Sequence, residues 1–197
     1  MKTKMTINYQ QILAQVRDYV QSRCLATTNQ LHPAFYEFHL LVVEKYALQL
    51  AEMLKADREV VQIAALLHDI SAVLDFSTLP THAKDSASIA REMLDACNLS
   101  DLKKQNIIHC IEAHVKPLPF GADTAEAICI SNADAMAFIA MPSYWIYFAY
   151  TINKMDYGVG LQWYKERVDK NWLNLIRPAC DMIYESYLHN NLLFEMN

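Results

Sequence analysis

The stretch Ala64-Ala65-Leu66-Leu67-His68-Asp69-Ile70 decides how this chain is read. It closes an apolar helical run with two adjacent polar residues, both able to bind a metal. Burying a histidine beside an aspartate is costly unless something pairs with both, and a bound cation is one such partner. Neighbouring helix positions point about 100° apart, so one metal reaches both side chains only near a helix end, where the backbone opens. A core histidine bonded to its neighbour would satisfy an isolated pair as well. The metal reading gains weight because more ligand-type residues fall on the apolar faces of other predicted helices.

Upstream, Val60, Ile63, Ala64 and Leu67 follow the i, i+3, i+4, i+7 pattern, and Asp57 is placed to cap that helix. A first helix is read over residues 7–25 from Ile12, Leu13, Val16, Tyr19 and Val20. Pro33 suits the first turn of a second helix. Its apolar side carries Phe35, Phe38, Val42, Val43, Tyr46, Ala47, Leu50 and Leu54, with His39 inside the stripe.

Downstream, a softer segment ends at Leu79-Pro80, and a fourth helix is expected from His82 to Cys97. Ser86, Ile89, Ala90 and Met93 are in phase with His82. Ser100 is placed to cap a fifth helix whose inward face holds Ile107, Ile111, His114 and Leu118. His109 lies about 140° around that helix from His114 and is read as outward. Pro117 and Pro119 end it. A sixth helix, Thr124 to Ala140, puts Asp134 in phase with Ala127, Ser131 and Phe138. Beyond Pro142 come two or three aromatic-rich helices, the last started or kinked by Pro178.

The whole of 1–197 is therefore read as one compact, all-α, single-domain helical bundle, completed by the helices of 143–197. A hydrophobic content of 53% with only 3 Gly and 6 Pro fits that class. None of the glycines forms a phosphate-cradling loop. The net charge of -5 argues against a partner held mainly through nucleic-acid phosphates. It leaves room for a small phosphorylated substrate held at a metal. The 5 cysteines are widely spaced with no C-x-x-C pair, so neither a zinc knuckle nor a disulfide framework is expected. With no secretory segment after Met1-Lys2-Thr3-Lys4, a cytoplasmic location is expected. Ala135 to Asn153 is uncharged and near membrane-span length, but Pro142, Ser143 and the aromatics point to buried core helices and no membrane. A homodimer is compatible with the sequence.

Collected, the inward polar residues are His39, His68, Asp69, His82, His114 and Asp134. Imidazole and carboxylate together suit Mn, Fe, Ni, Co or Zn, one ion or two. His39, His68, Asp69 and Asp134 can form one open site on three packed helices. His82 and His114 either complete a second metal site or donate hydrogen bonds to a phosphate.

This order and spacing resembles the HD domain superfamily, named for its His…His-Asp…Asp ligands. The residues that carry the resemblance are His39 in Phe38-His39-Leu40, the His68-Asp69 stretch, and Asp134 in Asn132-Ala133-Asp134-Ala135. His82 with Ser86, and Glu112-Ala113-His114, look like the two following helices of that family. The likeness spans about residues 32–140. It implies an all-helical fold and a metal-dependent phosphohydrolase acting on a small phosphate ester or nucleotide through metal-activated water. It carries His39, His68, Asp69 and Asp134 over as metal ligands, and Asp69, His82 and His114 as catalytic candidates. Ser71 and Ala72 depart from the Ile-Gly-Lys continuation of many members, and no second histidine adjoins His114. The missing continuation keeps open a ligand-sensing or scaffolding module without turnover, and the ligand pattern, which some di-iron enzymes share, keeps open a di-iron oxygenase of the same fold. Lys84 and Lys116 are the sequence's candidates for phosphate contacts; Tyr144, Trp145 and Tyr147 are its candidates for the pocket wall.

Overall fold

Three helix starts carry the caps their sequences call for. Asp57 accepts from the backbone N–H of Glu59 and Val60 at 2.9 and 3.4 Å, opening α3 (Arg58–Leu67). Ser100 accepts from Lys103 N at the start of α6 (Asp101–Ala113), and Thr124 from Ala127 N at the start of α7 (Ala125–Ala140). Each cap satisfies an amide that the helix leaves orphaned, worth about 1 kcal/mol. The Asp57 N–H in turn donates to Glu126 Oε1 at 2.6 Å, pinning the start of α3 to the start of α7.

The computed structural model describes residues 9–115 and 122–195, and helices are the only regular elements among them. Besides those above, they are α1 (Tyr9–Cys24), α2 (Leu41–Leu54), α4 (Ile70–Leu74), α5 (His82–Asp95), α8 (Pro142–Tyr147), α9 (Tyr157–Leu173) and α10 (Arg177–Glu195). In α3 every residue of Ile63, Ala64, Ala65, Leu66 and Leu67 is fully buried. Each large aliphatic side chain so buried contributes roughly 1.5–3 kcal/mol, which makes this helix an axis of the core. It packs between α1, α2, α6 and α7. The other central helix is α7, which touches α2, α3, α6, α9 and α10. Its face of small residues, Ala127, Ala133 and Ala137 among them, lets the neighbouring backbones approach.

The uncharged stretch around Pro142 resolves as core. No single helix among the described residues is long and apolar enough to cross a membrane. Only α7 taken with Pro142–Ile152 passes on length and composition, and that pair is bent by 78°. Met136, Ala137, Ile139, Phe148 and Ala149 from this pair are all buried in the core.

Two local features differ from the sequence expectation. The second helix does not run uniformly from Pro33, because residues Tyr36–Leu40 form a wide π turn before α2, with Leu41 N–H donating to Tyr36 O. An extra residue in the turn shifts the helical phase, so Phe38 is turned outward and is 41% exposed rather than part of the inner stripe. Phe35 and His39 are brought together instead, their rings stacked with centroids 4.7 Å apart. Second, α6 stops at Ala113 instead of running on to Pro117. Lys116, Pro117, Leu118 and Pro119 lie outside the described residues. Pro178 sits in the first turn of α10, as expected for a helix start, and the break in that helix comes at Ile183 (φ -121°, ψ 16°).

Candidate metal centre

Asp69 is the hinge of the site. It stands between α3 and α4 with φ -113° and ψ 13°, so the two helices do not run on into each other. This opening lets the side chains of His68 and Asp69 converge although they are adjacent in sequence. Asp69 Oδ2 lies 3.3 Å from both His39 Nε2 and His68 Nε2. Its Oδ1 lies 3.2 Å from His82 Nε2 and 3.5 Å from His114 Nε2. One carboxylate therefore faces two histidine pairs, one through each oxygen. Asp134 closes the first pair, its Oδ1 being 3.4 Å from His39 Nε2 and 3.9 Å from His68 Nε2.

The imidazoles are aimed by their own backbone. His68, His82 and His114 each donate Nδ1–H to the carbonyl three residues earlier, of Ala65, Leu79 and Ile111, at 2.8, 2.6 and 2.6 Å. That bond fixes the tautomer and leaves the Nε2 lone pair facing the centre, the arrangement that metal-ligating histidines use. His39 is held differently. Its Nδ1 is buried with no hydrogen-bond partner among the described residues, and the ring is wedged between Phe35 and the edge of Trp145.

Ser71 supplies a further brace. Its Oγ donates to the His82 carbonyl at 3.1 Å and its N–H to Ser86 Oγ at 3.1 Å, which locks α4 to the start of α5. The position after Ile70 thus serves to place His82.

The donor set fits a divalent cation. His39 and His68 face each other Nε2 to Nε2 at 3.2 Å, and His82 and His114 do so at 3.1 Å. Lone pairs at that distance repel unless a proton or cation lies between them. Asp69 Oδ1 is buried and accepts no hydrogen bond among the described residues. Ligand atoms of His39, His68 and Asp134 lie within 4.8 Å of one another, as do those of His68, Asp69 and His114. No cysteine belongs to either group, which leaves a hard-to-borderline N/O site.

Within the cluster His68 and Asp69 form an ion pair. Burial disfavours the charged His68 ring, but Asp69 and Asp134 outweigh it and push its pKa up to about 9. Burial likewise penalises the Asp69 carboxylate, yet the His68 charge and the neighbouring His114 and His39 imidazoles hold its pKa well below the usual carboxylate range. The two directions agree: proton on His68, charge on Asp69.

The cluster forms the floor of a cavity of about 350 Å³. All six residues singled out in the sequence meet here, and five of them, all but His68, line that cavity. His114 is buried and inward, whereas His109 lies away from the cavity, paired with Asp123 at 2.6 Å. Of the three aromatic candidates only Trp145 lines the cavity. Tyr144 is buried with its hydroxyl donating to Leu31 O, and Tyr147 packs at the surface against His32. Lys84 is exposed and not part of the lining, which removes it as a phosphate contact; Lys116 lies outside the described residues. The cations that do line the cavity, Arg167 and Lys170, come from α9, a helix the sequence marks only as aromatic-rich. Their only signal there is spacing, in phase with Trp163, Asn171 and Asn174 on one helical face.

Comparison with known proteins matches this geometry. A model of the HD domain fits residues 36–139. No curated protein matches the sequence significantly. Among solved structures, Bacillus subtilis YpgQ in complex with ADP is similar in fold, with a TM-score of 0.65 and 20% identity over 93% of this chain and 94% of that one. The family match covers more than half of the chain and ends one residue short of Ala140 at the end of α7, taking in His39, His68, Asp69, His82, His114 and Asp134: the chain belongs to the HD domain family.

Proposed function

We propose that the protein is a metal-dependent phosphohydrolase acting on a small phosphate ester or nucleotide. The observation that carries this reading is the placement of Asp69 between two histidine pairs on the floor of an open cavity. His39, His68, Asp134 and Asp69 Oδ2 would hold one divalent ion, and His82, His114 and Asp69 Oδ1 a second. Mn, Fe, Ni, Co and Zn all suit this N/O set. Such ions lower the pKa of a bound water from about 16 towards 7 and offset charge on phosphoryl oxygens. The fold shared with YpgQ, which is solved with ADP, supports a nucleoside phosphate among the substrates.

The chain's own residues divide the remaining work. Asp69, its side chain only 14% exposed and each oxygen facing a histidine pair, would serve as a ligand rather than as a base. Asp134, 33% exposed at the cavity edge, is better placed to accept a proton from incoming water. The Nδ1 bonds of His68, His82 and His114 leave each Nε2 facing the centre, where it would serve as a ligand. Phe35, Phe138 and Trp145 line the cavity with apolar surface and limit water around the reacting group.

The test is a hydrolase screen of metal-reconstituted protein over nucleotides, sugar phosphates and generic phosphate esters. Release of phosphate or pyrophosphate that Asp134→Ala abolishes is the expected result. Absence of turnover on every class, in protein with full metal content, would favour the sensing or scaffolding role. Substrate-dependent oxygen consumption by the iron-loaded protein would favour the oxygenase.

A further inference from the structure

The metal cluster and α9 line the same cavity. Trp163, Arg167, Lys170 and Asn171 of α9, with Asn174 just past its end, line the same space as His39, Asp69 and His114. Their spacing puts them on a single face of the helix. From Arg167 to Asn174 that face is about 10 Å long, more than one phosphate can fill.

The charges on this face are not used by their own helix. Asp169 pairs with Lys165, and Glu166 accepts from Gln162 Nε2 at 2.8 Å. Arg167 and Lys170 thus have no carboxylate partner among the described residues; Arg167 rests over the Trp163 ring, 5.6 Å from its centroid. Among the described residues the cavity is lined by two carboxylates, Asp69 and Asp134, and two cations, Arg167 and Lys170. Any divalent ion bound to the cluster therefore leaves its net charge positive.

We propose that this α9 face is a polyphosphate-binding arm, which selects substrates carrying a second phosphate beside the one at the metal cluster. Ions held at the cluster would offset the charge of the reacting phosphoryl group, so the two further cations and the Asn171 amide on α9 are surplus for a monoester. Asn174 Nδ2 instead donates to the Lys170 carbonyl at 2.8 Å. The surplus groups suit a diphosphate or triphosphate. The inference rests on the phosphohydrolase reading above and deepens it by naming the substrate class.

The test compares binding of methylphosphonate and methylenediphosphonate, neither of which is hydrolysed, to Mn²⁺-loaded protein by isothermal titration. The wild type is expected to prefer the diphosphonate by at least about 30-fold. Charge-assisted bonds are worth about tenfold or more each, so Arg167→Ala with Lys170→Ala should erase that preference, with methylphosphonate affinity within about threefold of wild type. Arg167→Lys with Lys170→Arg should restore most of it. Lys165→Ala, a cation on the same helix but off the cavity, should leave the preference intact. Metal content by elemental analysis should be equal in all variants. Equal losses for both phosphonates, a preference that survives the double substitution, or no binding of either ligand would each overturn the proposal. A normal diphosphonate preference in protein that hydrolyses no phosphate ester would instead overturn the phosphohydrolase reading and leave the arm standing.

Discussion

Asp69→Asn probes the electrostatics of the cluster directly, because it removes one charge and almost no volume. In the metal-free protein the His68–Asp69 pair raises the His68 pKa from an ordinary 6.5 to about 9. A rise of that size corresponds to about 3 kcal/mol of folding stability. A raised folded-state pKa contributes fully below the unfolded value, so the stabilisation is complete below pH 6.5 and is lost as the pH rises through about 9. The depressed Asp69 pKa reflects the same interaction. In the Asp69→Asn variant the largest opposing charge is gone, burial governs His68, and the stabilisation disappears. Chelator-treated Asp69→Asn should therefore be less stable than wild type by about 3 kcal/mol at pH 6, roughly 6–12 °C in Tm for a domain of this size. At pH 10 the difference should close or reverse, since wild type then buries a carboxylate with no countercharge. Urea denaturation of both proteins at several pH values provides the measurement. A difference that is constant from pH 6 to pH 10 would refute the ion-pair assignment.

Glu126→Gln weakens the acceptor shared by Asp57 N–H and Asn106 Nδ2, at 2.6 and 3.0 Å, and should cost about 1–2 kcal/mol near neutral pH. Burial raises the Glu126 pKa but these bonds lower it below 4.5 overall, so wild type should lose this stability only as pH falls through that lowered value, and the variant should show a flatter acid limb in urea melts. His109→Ala removes the Asp123 partner outside the cluster and should change stability by under about 1 kcal/mol, with metal content equal to wild type by elemental analysis. Ser71→Ala frees the His82 carbonyl and Ser86 hydroxyl; affinity for metal, titrated with a competing chelator, should fall about 10-fold or more while the helical circular dichroism stays unchanged.

The parts of the site that are legible in the sequence are those where polar groups interrupt apolar periodicity. His39, His114 and Asp134 each stand in phase with apolar or small residues, and a ligand-type side chain on such a face needs a partner for its polar atoms. The caps at Asp57, Ser100 and Thr124 are readable because a cap needs only a local pattern. Periodicity misplaces Phe38 because a π turn inserts its extra residue with no mark in the sequence and turns Phe38 out of the stripe, while Phe35 and His39 stay buried. Arg167 and Lys170 are hidden for a different reason. On a helix that alternates charge along its length, cations facing a cavity have the same sequence pattern as cations facing water. Lys84 shows the converse, since nearness to His82 in sequence does not bring it to the cavity. Ser71, in sequence only a departure from the family's continuation, acquires a role once its bonds to α5 are seen.

Whether Asp69 joins two ligand sets into a centre for two ions is read from the metal-to-protein ratio. Elemental analysis after saturation with Mn²⁺ and removal of excess gives that ratio for wild type, His82→Ala, His114→Ala and Asp69→Ala. Two ions per chain are expected in wild type, one in each histidine variant, and a loss of tight binding at both positions in Asp69→Ala. A wild-type protein that takes up no ion, or histidine variants that keep the wild-type ratio, would contradict the two-ion centre.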